Sequence, residues 1–131
     1  MTQAFLVFVG GGLGAMLRYF AGLGAVRMWG ASFPYGTFLI NISGSFLMGV
    51  AAALFSKLIA NALSENWAPM ARLFLTTGIL GGYTTFSAFS LDAMMLWEDG
   101  RMGAAAFYVF GSVGLSILAL FLGLSVVRAV S

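Results

Sequence analysis

The 131-residue chain contains no cysteine, no histidine, two prolines, and only six basic and four acidic residues. Without cysteine there is no disulfide framework, no thiolate metal site and no thiol nucleophile. Without histidine the commonest general base and the commonest metal ligand are also missing. A net charge of +2, dispersed along the chain, gives no surface for nucleic acid. These absences argue against an enzyme. The scarcity of charge is the strongest of them: 8% of the residues are charged, against about 25% in soluble domains. With 61% hydrophobic residues and a mean hydropathy of +1.01, the chain reads as an integral membrane protein whose solvent is the lipid bilayer.

Four apolar stretches follow one another. A membrane span takes about 20 residues, so the chain is expected to form one all-α domain over 1–131 with helices at about 4–27, 33–60, 70–97 and 102–127. The first stretch is too long for a cleavable signal peptide and lacks a basic start. Pro34 and Pro69 fall where the second and third helices begin, the position at which proline costs least. Trp29, Trp67 and Trp97 fall at or beside the loops, as an aromatic belt requires. Four helices enclose little interior, so oligomerisation is expected. With the N-terminus inside, Lys57, Arg72 and Arg128 lie on the cytoplasmic side and Arg27 and Arg101 outside. A three-to-two bias is weak under the positive-inside rule and permits insertion in both orientations, hence an antiparallel dimer.

Polar residues inside a span carry the functional information, because each must find a partner away from lipid. In the first helix Gly10, Gly14, Arg18 and Gly22 recur at spacing four; the glycines read as packing. Arg18 lies about 13 Å from the helix end at Arg27, at 1.5 Å per residue, too far for full snorkelling, and is expected in a water-filled vestibule. The second helix repeats the spacing with Thr37, Asn41, Ser45 and Gly49, and the fourth with Tyr108, Ser112 and Ser116. Two columns of neutral hydrogen-bonding groups suggest a narrow polar track. Interhelical glue is the alternative reading.

The third stretch holds Thr76-Thr77-Gly78-Ile79-Leu80-Gly81-Gly82-Tyr83-Thr84-Thr85-Phe86-Ser87-Ala88-Phe89-Ser90. Its three glycines and four threonines weaken an α-helix, and a break is expected near Gly81–Thr84. Carbonyls freed at that depth must face protein, water or an ion. A glycine-kinked, packed helix is the alternative. Phe86 and Phe89, three apart, share a helix face. An aromatic ring is electropositive at its edge, so the pair could meet an anion without a full positive charge.

These segments resemble the Fluc (CrcB) family of fluoride channels. The resemblance rests on Gly-Ala-Met-Leu-Arg-Tyr ending at Tyr19, on Gly36-Thr37 with Asn41 and Gly44-Ser45, and on Gly81-Gly82-Tyr83-Thr84-Thr85-Phe86-Ser87. It implies a homodimer of inverted topology in a bacterial plasma membrane, with two fluoride pores and a central structural sodium ion. By that resemblance Asn41 contacts fluoride and Phe86 and Phe89 form an aromatic box. Tyr108, Ser112 and Ser116 make the hydroxyl track, which Thr37 and Ser45 extend from the second helix. The Gly81 and Thr84 carbonyls of both copies hold sodium, and Arg18 draws anions into the vestibule. Three positions depart from the family pattern: Tyr83 where phenylalanine is common, Ala88 where threonine is usual, and Asp92 where glutamate is common.

Neutral donors suit this task. Fluoride is strongly hydrated, and a buried cation in the narrows would trap it: opposite charges 4 Å apart gain about 4 kcal/mol at an effective dielectric of 20. The expected activity is passive export of fluoride and hence fluoride resistance. A small multidrug exporter also has four short spans, but such proton-coupled proteins use a mid-span glutamate in the first helix, where this chain has Arg18 and no acid. A nontransporting scaffold, its polar columns only glue, is the other alternative.

Overall fold

The computed structural model describes residues 1–60 and 67–130, and its regular structure is entirely helical. Three uninterrupted helices, α1 (Thr2–Trp29), α2 (Tyr35–Ala60) and α6 (Met102–Ala129), are long and apolar enough to cross a membrane. The connection expected after the second helix falls at 61–66, outside the described residues. Between α2 and α6 runs a fourth, interrupted pass. It begins as α3 (Ala68–Arg72) with Pro69 in its first turn, widens into a π-helical stretch (Leu73–Leu80), and closes with one turn, α4 (Gly81–Tyr83). After two extended residues it resumes as α5 (Phe86–Glu98).

The interrupted pass changes partners along its length. Its π-helical part and α4 pack against α1, whereas α5 packs against α6, and α2 contacts both halves. The side of α1 that meets this pass is made of small residues. A Cβ on Gly14 would collide with the Ile79 carbonyl, and one on Gly82 with the Gly11 carbonyl. The same device joins α2 to α6, the most extensive packing in the chain: a Cβ on Gly49 would strike the Leu120 carbonyl, and one on Gly123 the Phe46 carbonyl. Small residues let helix backbones approach closely where lipid gives no hydrophobic drive for association.

The break falls at the C-terminal edge of the expected Gly81–Thr84 window, on the threonines and not the glycines. Gly81 and Gly82 lie inside a helical turn, where Gly82 serves close approach to α1. The extended residues are Thr84 (φ −78°, ψ 157°) and Thr85 (φ −154°, ψ 121°). β-Branched side chains favour that conformation. Thr85 also gains by leaving the helix, because its Oγ1 accepts from the Ala88 N–H at 3.2 Å and caps α5. The π-helical stretch has no counterpart in the hydrophobic pattern. Within it, the Thr76 hydroxyl donates back to the Arg72 carbonyl at 2.8 Å, a bond that competes with the helix backbone.

A substitution distinguishes close packing from mere helix propensity. Gly14→Ala should lower unfolding stability in detergent by about 1–3 kcal/mol, the usual cost of overpacking. Gly103→Ala in α6, where a Cβ meets nothing within 4 Å, should be neutral or slightly stabilising. Thermal unfolding monitored by circular dichroism checks both; equal effects would contradict the close approach.

Candidate ion pathway

The extended residues of the interrupted pass are held by one side chain of α2. The Asn41 Nδ2 donates to the Thr85 carbonyl at 3.0 Å, and the Thr85 N–H donates to Asn41 Oδ1 at 2.8 Å. The amide thus pairs with the Thr85 backbone in both directions, as a neighbouring β-strand would. One turn along α2, the missing side chain of Gly44 leaves room for the break, since a Cβ there would overlap the Thr84 methyl. The consequence falls on the carbonyls of residues 81–84, and for two of them the group that took the partner is visible. An uninterrupted helix sends the amide of residue 85 to the carbonyl of 81, and that of 88 to the carbonyl of 84. Here the Thr85 N–H goes to Asn41 and the Ala88 N–H to the Thr85 hydroxyl. Gly81 and Thr84 therefore lose the partners a continuous helix would give their carbonyls. The Thr84 carbonyl receives a long 3.4 Å contact from Arg18 Nη1.

Two cavities flank this clamp. The first, of about 650 Å³, is lined among others by Arg18, Tyr19, Thr37, Thr85, Asp92 and Arg101. The second, of about 470 Å³, is lined among others by Asn41, Ser45, Gly81, Thr84, Phe86, Phe89, Ser112 and Ser116. Thr85 lines both, so the clamped segment stands at the divide. The first cavity mixes two guanidinium groups with the Asp92 and Asp99 carboxylates, and Arg101 is tethered by a hydrogen bond to the Ser32 carbonyl. The second contains no charged side chain in its lining.

Most residues singled out from the sequence thus gather around the second cavity, with Arg18 and Thr37 in the first. Tyr108 lines neither. It is fully buried, its ring lies 5.4 Å from that of Phe89, and its hydroxyl donates to Asp92 Oδ2 at 3.0 Å. Phe86 and Phe89 touch, with ring centroids 5.4 Å apart and planes at 44°. Their exposures differ sharply: Phe89 is 8% exposed and Phe86 77%. One chain alone does not enclose a box around them. The Ser112 hydroxyl is buried, in a residue 4% exposed, and among the described residues has no hydrogen-bond partner. A buried polar atom left so costs about 1–3 kcal/mol, which singles it out as a group kept for something other than folding.

Two participants carried little weight in the sequence. Asp92 appeared only as a departure from a pattern, although a carboxylate in an apolar span is itself a signal. It anchors the Tyr108 hydroxyl and lines the first cavity. Thr85 figured only within its motif; nothing in spacing announces that its backbone would be clamped. Neutral amide, hydroxyl and ring groups around the second cavity offer donors to an anion and no fixed charge to hold it. Among the described residues no three carboxylates, histidines or cysteines gather, so a cation near the break would rely on backbone oxygens.

Comparison with known proteins places these features in a wider group. Residues 5–124 match the family model described as CrcB-like protein, Camphor Resistance (CrcB). The chain is 56% identical over 126 residues to a Rhodopseudomonas palustris protein named fluoride-specific ion channel FluC, covering 96% of this chain and 97% of that protein. It is 51% identical over 123 residues to a Nitrobacter hamburgensis protein named fluoride-specific ion channel FluC 2, covering 94% of each chain. A Rhizobium etli protein named fluoride-specific ion channel FluC is 50% identical over 129 residues, covering 98% of each.

The unpartnered hydroxyl gives a direct test. Ser112→Ala should leave thermal stability unchanged or raise it by up to about 1–3 kcal/mol, because it removes a buried unsatisfied group. The same variant should lower the rate of ion passage through reconstituted protein. A destabilised protein would mean the hydroxyl is satisfied and structural.

Proposed function

The chain belongs to the CrcB family, and from that premise we propose that it is a fluoride-selective channel, not an enzyme, that lets fluoride leave the cell down its gradient and so confers fluoride resistance. The unpartnered Ser112 hydroxyl carries this reading, because it sits in an uncharged cavity with the Asn41 amide, the Ser45 and Ser116 hydroxyls and Phe89. An anion entering there would exchange water for neutral donors and ring edges. Such groups replace hydration without the trap that a buried cation would set. Arg18, in the larger cavity, raises the local anion concentration at the entrance without standing in the narrows. Asp92 holds the Tyr108 hydroxyl, and this fixes the wall against which Phe89 packs.

The functional unit we propose is a homodimer of two oppositely oriented copies in the bacterial plasma membrane, with two pores. The exposure of Phe86 supports it, since a second copy would cover the ring and complete the aromatic pair. The near-balanced distribution of basic residues supports inverted insertion. The Gly81 and Thr84 carbonyls suit a structural sodium ion, because the break removes their helical partners within an apolar span. When bound, that ion supplies a fixed positive charge that balances the carbonyl dipoles. The protein's part is to strip those oxygens of helical partners and hold them in place, the long 3.4 Å Arg18 contact to Thr84 being the one the ion would have to share or displace.

Efflux from liposomes tests the function. Purified protein should release fluoride rapidly without a proton gradient while chloride is retained. Silent liposomes, or comparable loss of both halides, would contradict the proposal. Phe86→Ile and Phe89→Ile should each slow fluoride efflux at least about tenfold, a barrier increase of about 1.4 kcal/mol, while the oligomer persists on size-exclusion chromatography. Normal efflux in both variants would remove the ring edges from the mechanism.

A further inference from the structure

We infer that Asn41 is the positioning residue for the carbonyl cation site: it creates that site by capturing the amide that would otherwise close it. The inference rests on the proposal that sodium binds at the break. The Gly81 carbonyl is free only because the Thr85 N–H points to Asn41 Oδ1, 2.8 Å away. The helix is intact up to that point, since the Thr84 N–H still bonds the Leu80 carbonyl at 3.0 Å. One residue later the ladder is diverted. The return bond from Asn41 Nδ2 to the Thr85 carbonyl, at 3.0 Å, adds to that hold, but it is the Oδ1 acceptor that takes the amide from Gly81. A side chain lacking the acceptor would let the Thr85 N–H return to Gly81, its nearest acceptor in a helix. The oxygen offered to a cation would then be consumed.

The same amide faces the other ion. A primary amide has two N–H donors and one oxygen. The oxygen and one donor are committed to Thr85, which leaves one donor on a residue that lines the uncharged cavity with Phe86, Phe89 and Ser112. Asn41 therefore links the two sites. Its committed groups hold the carbonyls open, and its remaining N–H is available to the anion. A residue that acted only as an anion ligand would need no such pairing.

The test is the difference in thermal unfolding temperature between equal concentrations of sodium and potassium, measured on full-length protein in detergent for the parent, Asn41→Ala and Asn41→Asp. A ligand that binds only the folded state raises its stability by mass action. The parent should unfold at higher temperature in sodium. Asn41→Ala should lose that difference, and Asn41→Asp, which keeps an acceptor for the Thr85 N–H, should retain it. A parent with no sodium effect would overturn the sodium reading itself, and the inference with it. A normal sodium effect in Asn41→Ala, with or without slowed fluoride efflux, would overturn the inference alone and leave Asn41 an anion ligand. Should Asn41→Ala fail to fold, Asn41→Asp decides: a retained sodium effect supports the positioning role and a lost one refutes it.

Discussion

Two extended residues in the middle of an apolar pass set the terms for the rest of this molecule. In a bilayer an unpaired backbone group has no water to turn to, and each one costs several kcal/mol. Thr84 and Thr85 break the ladder at that depth, so every polar group they release must be accounted for. Asn41 takes both backbone groups of Thr85, and the Thr85 hydroxyl takes the Ala88 amide, the third of α5. The carbonyls of residues 81–84 lose their helical partners, and that of Thr84 meets Arg18 Nη1 at 3.4 Å. The close contact of α1 with the first half of the pass, and of α6 with the second, keeps the break opposite Asn41. Glycines of α1 and Gly78 and Gly82 of the pass are the means of the first approach, and Gly44 of α2 makes room for the break.

Much of the architecture was legible in composition. Eight per cent charged residues and long apolar stretches could only mean membrane helices, and the bounds of α1, α2 and α6 lie within a few residues of the apolar runs. The third pass was harder. Its glycines and threonines mark Gly81–Thr84, yet glycine is ambiguous in a membrane helix: it weakens the backbone, and it also allows close packing. The neighbours decide, and they are distant in sequence; Gly82 meets Gly11. The break belongs to the two threonines, whose partner is also remote, on α2. The π-helical widening left no mark that a periodicity of 3.6 residues could register.

The cavity-lining residues were similarly half legible. A spacing of four in α2 and α6 places Asn41, Ser45, Ser112 and Ser116 along one cavity, as a polar column should. Spacing could not tell which of these groups is occupied. Tyr108 belongs to the same column, yet its hydroxyl is spent on Asp92, whereas Ser112 has no partner. That difference separates a spent hydroxyl from an unpartnered one. A cavity with no charged lining thus sits beside a larger one holding two arginines and two aspartates.

The account stands on the backbone at residues 84 and 85, and solid-state NMR in lipid bilayers reads it directly. Protein labelled with carbonyl ¹³C and amide ¹⁵N on threonine alone has two Thr–Thr peptide bonds, Thr76–Thr77 and Thr84–Thr85. A carbonyl–amide correlation spectrum isolates them. The account predicts one signal with a helical carbonyl shift and one with an extended shift, and only the extended one should move when sodium is exchanged for a large organic cation. Two helical signals, indifferent to the cation, would contradict it.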